Sequence, residues 1–341
     1  MKLKLLAILI FALCVAPCGA RAAEGEPVSE QALAADRAVT VMVCTQANVV
    51  VRGWDRAEVR ARNTSDGRIE LRRTDAGNAP ATRIEVLSSD DPDTPVRPGE
   101  CGHADLELDV PRGSTVQLKG RNGDLDVTGV AVVRAETQSG SVDLRDIARG
   151  VEVSTANGDV SVERAAGRVR LRTISGEIEV QDARPLEPGD ELSAKTTSGD
   201  ITLEEVRHAR VEAQTAAGTV ALTGALAAGG LYDLRTTNGD VTLTLPAESS
   251  FFVNARVFHG GDIVTDFPVR LVPNAAAQPP PPPQPPNTPG PKGHGPKSHP
   301  PQGNVVLGDG TLTGICGKNE KGGATLNLAS FSGTVSLRKE Q

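Results

Sequence analysis

Aromatic residues make up only 2% of this 341-residue chain, with one Trp, one Tyr and six Phe. That scarcity removes the ring platforms on which carbohydrate enzymes usually seat their sugars, and it leaves Val, Leu, Ile and Ala to build whatever core exists. The five histidines, His103, His208, His259, His294 and His299, share no ligand spacing with one another or with the cysteines. No Gly-x-Ser-x-Gly elbow is present, and no phosphate-cradling glycine loop leads into a helix. The sequence therefore nominates no catalytic, cofactor-binding or metal-ligating residue, and the expectation is a protein that is not an enzyme. Basic charge is in deficit as well: the net charge is −7, which argues against nucleic acid as a partner. Beyond residue 22 no apolar run approaches the roughly 20 residues that span a bilayer, so no transmembrane segment is expected in the mature chain.

What is present begins with a secretory signal over residues 1–22: Lys2 and Lys4, an apolar run from Leu5 to Ala16, and Ala20-Arg21-Ala22 as the cleavage site. The expectation is export, to the periplasm, the outer membrane or the outside of the cell. Cys14 and Cys18 follow Leu13 and Pro17, where a lipobox requires a small residue, so lipidation is not expected. Cys44, Cys101 and Cys316 remain after cleavage. An oxidising compartment predicts a Cys44–Cys101 disulfide that ties the first β segments together and leaves Cys316 over. Three buried thiols are the alternative.

The chain repeats one phrase: an alternating strand, Thr-x-[Asn/Ser/Ala]-Gly, and a second alternating strand. Thr137, Thr155, Thr173, Thr196, Thr215 and Thr236 are each followed three residues later by Gly140, Gly158, Gly176, Gly199, Gly218 and Gly239. Apolar residues sit two apart on both sides of the turn, as in Val151, Val153, Val160 and Val162, which reads as half-buried strand, tight turn, half-buried strand. Asn-Gly and Ser-Gly tolerate positive φ at such a corner. Units of roughly 18–23 residues are too short to fold alone. A meander of hairpins and a β-solenoid both accommodate the pattern. Val151, Val169 and Val211 recur at equal offsets from their turns, and stacking them would bury one continuous stripe, so the expected fold is an all-β solenoid with two strands per unit.

The expected organisation is a flexible tail over 23–37, degenerate coils and a cap over 38–119, the regular repeats over 120–272, a Pro-rich insertion over 273–304, and a closing coil over 305–341. The tract PPPPPQPPNTPGPKGHGPKSHPP lacks backbone donors and reads as a polyproline II-like or disordered loop. Its tip carries Lys292, His294, Lys297 and His299. It is either a docking arm or a tolerated insertion between coils.

With its units of Thr-x-[Ser/Asn]-Gly-[Asp/Ser]-[Val/Ile], and with GDIVTDFPV and GGATLNLASFSGTVSLRK toward the end, the chain resembles the bacterial putative-adhesin family of β-strand repeats. The resemblance runs from about Val39 to Lys339 without the proline loop. It implies a solenoid-like protein of the cell envelope and supplies no active-site residues.

Two groups of residues invite a functional reading. Asp124, Asp159, Glu177, Asp200 and Asp240 each follow a turn glycine, so stacked coils would align them into an acidic ladder with oxygen ligands for Ca²⁺. Asp also simply suits such a corner, and that is the reading adopted. Phe251, Phe252, Phe258, Phe267 and Phe331 gather toward the C-terminus, where capping or core packing is the expectation. The function expected is that of a non-enzymatic exported adhesin whose partner is an envelope or surface component, protein or polysaccharide. An envelope-stress sensor or scaffold acting through a protein partner, and a carbohydrate-active β-helix enzyme, stay open as alternatives.

Overall fold

Two parallel sheets face each other across a thin apolar core, and the chain crosses from one to the other at every corner. The computed structural model describes residues 30–271 and 305–340, apart from short stretches at 66, 77–79, 90, 92–96, 98, 308–309 and 318–322. Among the described residues there are 27 strands and no helix. The architecture is the all-β solenoid expected from the repeat.

In the regular part, one coil is a strand of the first sheet, a glycine corner, a strand of the second sheet and a return corner. Val132–Ser139, Gly150–Asn157, Arg168–Arg172, Glu191–Lys195, Arg210–Ala217 and Leu231–Asn238 neighbour one another in the first sheet. Val142–Ile147, Val160–Ala166, Ile178–Arg184, Ile201–Glu204, Val220–Thr223 and Val241–Leu245 do so in the second. All these pairings are parallel and in register. Val151, Val169, Leu192, Val211 and Tyr232 therefore form one buried column, and Val160, Ile178, Ile201, Val220 and Val241 form another in the second sheet. Alternate side chains leave each sheet on opposite faces, so every second residue is free for the surface. Each buried Val or Leu contributes about 1.5–3 kcal/mol, but only because the next coil covers it.

The glycine corner is dictated by stereochemistry. Gly140, Gly158, Gly176, Gly199, Gly218 and Gly239 have φ between 113° and 149°. A Cβ on any of them would stand 2.0–2.1 Å from the carbonyl oxygen of the corner glycine one coil earlier. The motif threonines are buried beneath this stack. Thr196 donates its hydroxyl to Gly176 O at 3.2 Å, Thr215 to Gly199 O at 2.9 Å and Thr236 to Gly218 O at 2.8 Å. The repeated phrase is thus a phrase for building corners. The return corner uses another solution: Asp146, Arg164, Asp182 and Glu205 take φ of 50–57° in successive coils.

At both ends, order in space departs from order along the chain. The strands Glu30–Thr45 and Val49–Trp54 lie between Thr115–Gly120 and Leu125–Thr128 on one side and Ala81–Ser89 and Leu106–Pro111 on the other. Likewise Ala324–Ser332 and Val335–Lys339 lie between Leu231–Asn238 and Val241–Leu245 on one side and Phe251–Val257 and Ile263–Thr265 on the other. Outside them the pairing turns antiparallel, with Arg68–Arg73 at one end and Gly310–Cys316 at the other. Such strands break the parallel register that a further coil would need.

Residues 30–37, expected within the flexible tail, are strand. Glu30–Ala34 pairs antiparallel with Glu58–Arg62, and Ala35 is fully buried. EQALAADR lacks a period-2 pattern, and it is the neighbouring strand's backbone that orders it. The signal segment, residues 23–29 and the proline tract from Pro273 to Pro301 lie outside the described residues.

Candidate binding surface

The acidic ladder resolves into corner chemistry. Asp124 Oδ1 accepts the Ser141 N–H at 2.8 Å, Asp159 Oδ1 that of Glu177 at 2.8 Å, Asp200 Oδ1 that of Thr219 at 2.6 Å, and Asp240 Oδ1 that of Thr334 at 2.7 Å. Each carboxylate thus satisfies a backbone donor of the adjoining coil. Asp105 and Asn48 continue the same device toward the N-terminal end. Among the described residues, no group of three or more His, Cys, Asp or Glu is placed to hold a metal ion.

The cysteines take two environments. Cys44 and Cys101 are joined as a disulfide with their Cα atoms 4.7 Å apart, linking the inserted N-terminal coil to the segment that leads into Leu106–Pro111. Cys316 is buried and unbridged, and burial pushes its thiol up to about 12, so it carries no thiolate at neutral pH.

The phenylalanines divide, and two of them depart from the capping or core role. Phe251 and Phe267 are buried and meet edge to face at 5.2 Å. Phe258 and Phe331 are 54% and 46% exposed. Their rings stack at 6.1 Å, and the His259 imidazole stacks on Phe331 at 4.8 Å. The His259 N–H also donates to Phe331 O at 2.9 Å. The reason for this exposure is the corner. Phe331 occupies the outward position between Ser330 and Ser332 where Thr237 stands in the adjoining coil, and Gly261 stacks on Gly333 to carry the corner one coil further. A flat apolar patch results, bordered by the exposed Thr237, Asn238 and Ser332. Sequence spacing alone could not show it, because Phe258 and Phe331 meet only through the inserted C-terminal coil.

The two sheets differ in their balance of charge, acids leading on the second and arginines on the first. Outward from the second sheet stand Glu107, Asp109, Asp126, Asp143, Glu163 and Glu179. Arg145 serves three of these carboxylates, at 3.4–3.8 Å. Outward from the first sheet stand Arg134, Arg168, Arg170, Arg172, Lys195, Arg210 and Arg235, with Glu136, Glu152, Glu191, Glu212 and Asp233 among them. At the return corner a depression of about 530 Å³ is lined by Asp146, Arg164, Asp182 and Arg184. Arg164 pairs with Asp146 at 2.7 Å and holds that carboxyl below its usual range. These charges alternate and largely cancel, and no nucleophile lies among them.

Of the remaining histidines, His208 is fully buried and donates Nε2–H to Gly167 O at 2.7 Å, and its backbone carbonyl accepts the Tyr232 hydroxyl at 3.3 Å. Its place is structural. His294 and His299 lie outside the described residues. No helix among the described residues is long and apolar enough to cross a membrane.

The Toastrack DUF4097 family model matches residues 39–268, more than half of the chain. No curated protein matches. The crystal structure of a putative cell adhesion protein from Clostridium sporogenes aligns over 91% of this chain and 99% of its own at 8% identity, with a TM-score of 0.22. A score that low carries no argument about fold or function.

Proposed function

Because the chain belongs to the Toastrack family, a family without an assigned activity, we propose from its own surface that it is a non-enzymatic, exported binding protein that makes adhesive contacts at the cell envelope. The observation that carries this reading is the exposed stack of Phe258, His259 and Phe331. In a chain with so few rings, two phenylalanines stand in solvent at the corner position that carries Gln138, Ala156, Ile174, Thr197, Ala216 and Thr237 in the regular coils. An apolar ring face bordered by amide and hydroxyl groups suits the apolar face of a sugar or a protein side chain. The repeat motif itself presents no ligand-binding group at the surface, since its threonines are buried and its aspartates accept backbone N–H groups within the corners.

Purified mature protein should bind an envelope fraction saturably, and the Phe258→Ala/Phe331→Ala double variant should lose most of that binding while keeping its melting temperature. No saturable binding to any surface or envelope fraction would sink adhesion. A second reading, a scaffold that docks a protein partner, is favoured by the place of the proline tract. The strands flanking it, Val269–Leu271 and Val305–Leu307, both lie at the C-terminal end of the stack. Deleting residues 274–303 separates the two, because adhesion through the aromatic corner survives that deletion and docking through the tract does not.

A further inference from the structure

We propose that the first sheet carries a binding site for the oxyanion groups of a linear anionic polysaccharide, centred on Gly150 and the arginines around it. A depression of about 250 Å³ is lined there by Arg134, Arg149, Gly150, Glu152, Arg168 and Arg170. Register places these residues together: Val132, Gly150 and Arg168 are laterally paired, as are Arg134, Glu152 and Arg170 one step along the strands.

The charges in the depression do not balance. Arg134 is 3.6 Å from Glu152, and Arg170 reaches out of the depression to Glu191 at 2.6 Å. Arg149 and Arg168 are exposed and form no ion pair among the described residues. Two guanidiniums outside any ion pair, of which Arg168 lies within the field of Asp190 and Glu191, stand beside two paired ones and form a local anion site on a protein of net charge −7.

Gly150 supplies the floor, and backbone stereochemistry does not require it. It is not among the positive-φ residues, and a Cβ built on it would meet only Arg168 O, at 3.4 Å, an ordinary contact. The corner glycines have no such latitude. A side chain at position 150 would fit the fold and fill the depression.

The surroundings suit a polymer better than a free ion. Arg168, Arg170 and Arg172 project from the same face of one strand, about 7 Å apart, and neighbouring coils are about 4.8 Å apart. One exposed arginine pair holds a small anion weakly, whereas repeated contacts along a charged chain add up. The site does not depend on the aromatic corner, so it can fail or stand separately from the adhesion reading.

The test measures binding of the mature chain to dextran sulfate, with neutral dextran and phosphatidylglycerol vesicles alongside. Dextran sulfate should bind, neutral dextran should not, and added salt should weaken the complex. Gly150→Val keeps every charge and is favoured in a strand, so it should fold at least as stably yet bind about tenfold more weakly. Arg149→Ser/Arg168→Ser should lose about as much. Arg338→Ser, on the opposite sheet, should change nothing, and neither should Phe331→Ala. Full binding by Gly150→Val would overturn the site, leaving only diffuse attraction to a basic face. Equal binding to neutral dextran, or a preference for the vesicles, would overturn the assignment to an anionic polysaccharide.

Discussion

The two corners of each coil solve one geometric problem under different rules. At the glycine corner, φ of 113–149° and a carbonyl oxygen 2.0–2.1 Å from any added Cβ admit glycine alone, so the solution repeats coil after coil. At the return corner, φ of 50–57° lies in the left-handed region, which a residue with a Cβ can enter for about 1–2 kcal/mol. Asp146, Arg164, Asp182 and Glu205 all do so. The first corner is held by a rule and the second by individual devices: the Arg164–Asp146 pair, the His208 bond to Gly167, and the Tyr232 hydroxyl, which accepts the Ala227 N–H at 2.7 Å. Loops of unequal length fit only the second kind, which is why the repeat spacing varies.

The sharpest way to break this contrast is Gly176→Val. It places a branched side chain against Gly158 O in the middle of the stack and should cost about 4 kcal/mol or more, measured as a shift in the urea midpoint or as loss of soluble protein. A stable, soluble Gly176→Val protein would refute the steric account of the glycine corner.

A smaller effect comes from His208. Burial holds its imidazole below the ordinary 6.5, and its Nδ1 has no hydrogen-bond partner among the described residues. The folded state therefore keeps this histidine neutral where the unfolded chain would protonate it. Its contribution is fully present above about pH 6.5 and declines as the pH falls from there toward the folded value. Chemical denaturation between pH 7 and pH 5 should show this decline, and His208→Gln should flatten it. Parallel profiles for the two proteins would remove His208 as the cause.

Smallest is Asp182→Gly at the return corner. Glycine relieves the left-handed strain but adds freedom to the unfolded chain, so the expected outcome is a gain of about 0–1 kcal/mol in the same urea titration. Where Gly176 admits no side chain, Asp182 should lose nothing by surrendering one. A clear destabilisation would mean that the Asp182 carboxylate supports the neighbouring Arg164.

How much of the molecule was legible follows from the same physics. Thr196, Gly199 and Asp200 were readable as a corner because a steric constraint that only glycine meets leaves a mark in every unit. The return corner left no mark, since Asp, Arg and Glu occupy it in turn. The interlocked ends were also hidden. Nothing in ATLNLASFSGTVSLRK states that it lies between Leu231–Leu245 and Phe251–Thr265 in space, because its alternation would satisfy any vacant place in the stack. The candidate sites share that obscurity. Phe258 and Phe331 are far apart in the chain, and Arg149, Gly150 and Arg168 take on meaning only when lateral register sets Gly150 beside Arg168.

The sequence by itself determined the fold class, the coil and the positions of the six regular glycine corners, because alternation of apolar residues and the stereochemistry of glycine act over a few residues and need no distant partner. Tertiary structure alone decided which coil lies beside which at the two ends, where the few aromatic rings meet, and which arginines stand without a carboxylate. Those outcomes rest on contacts between segments distant in the chain, and a local pattern cannot specify a neighbour that it does not itself contain.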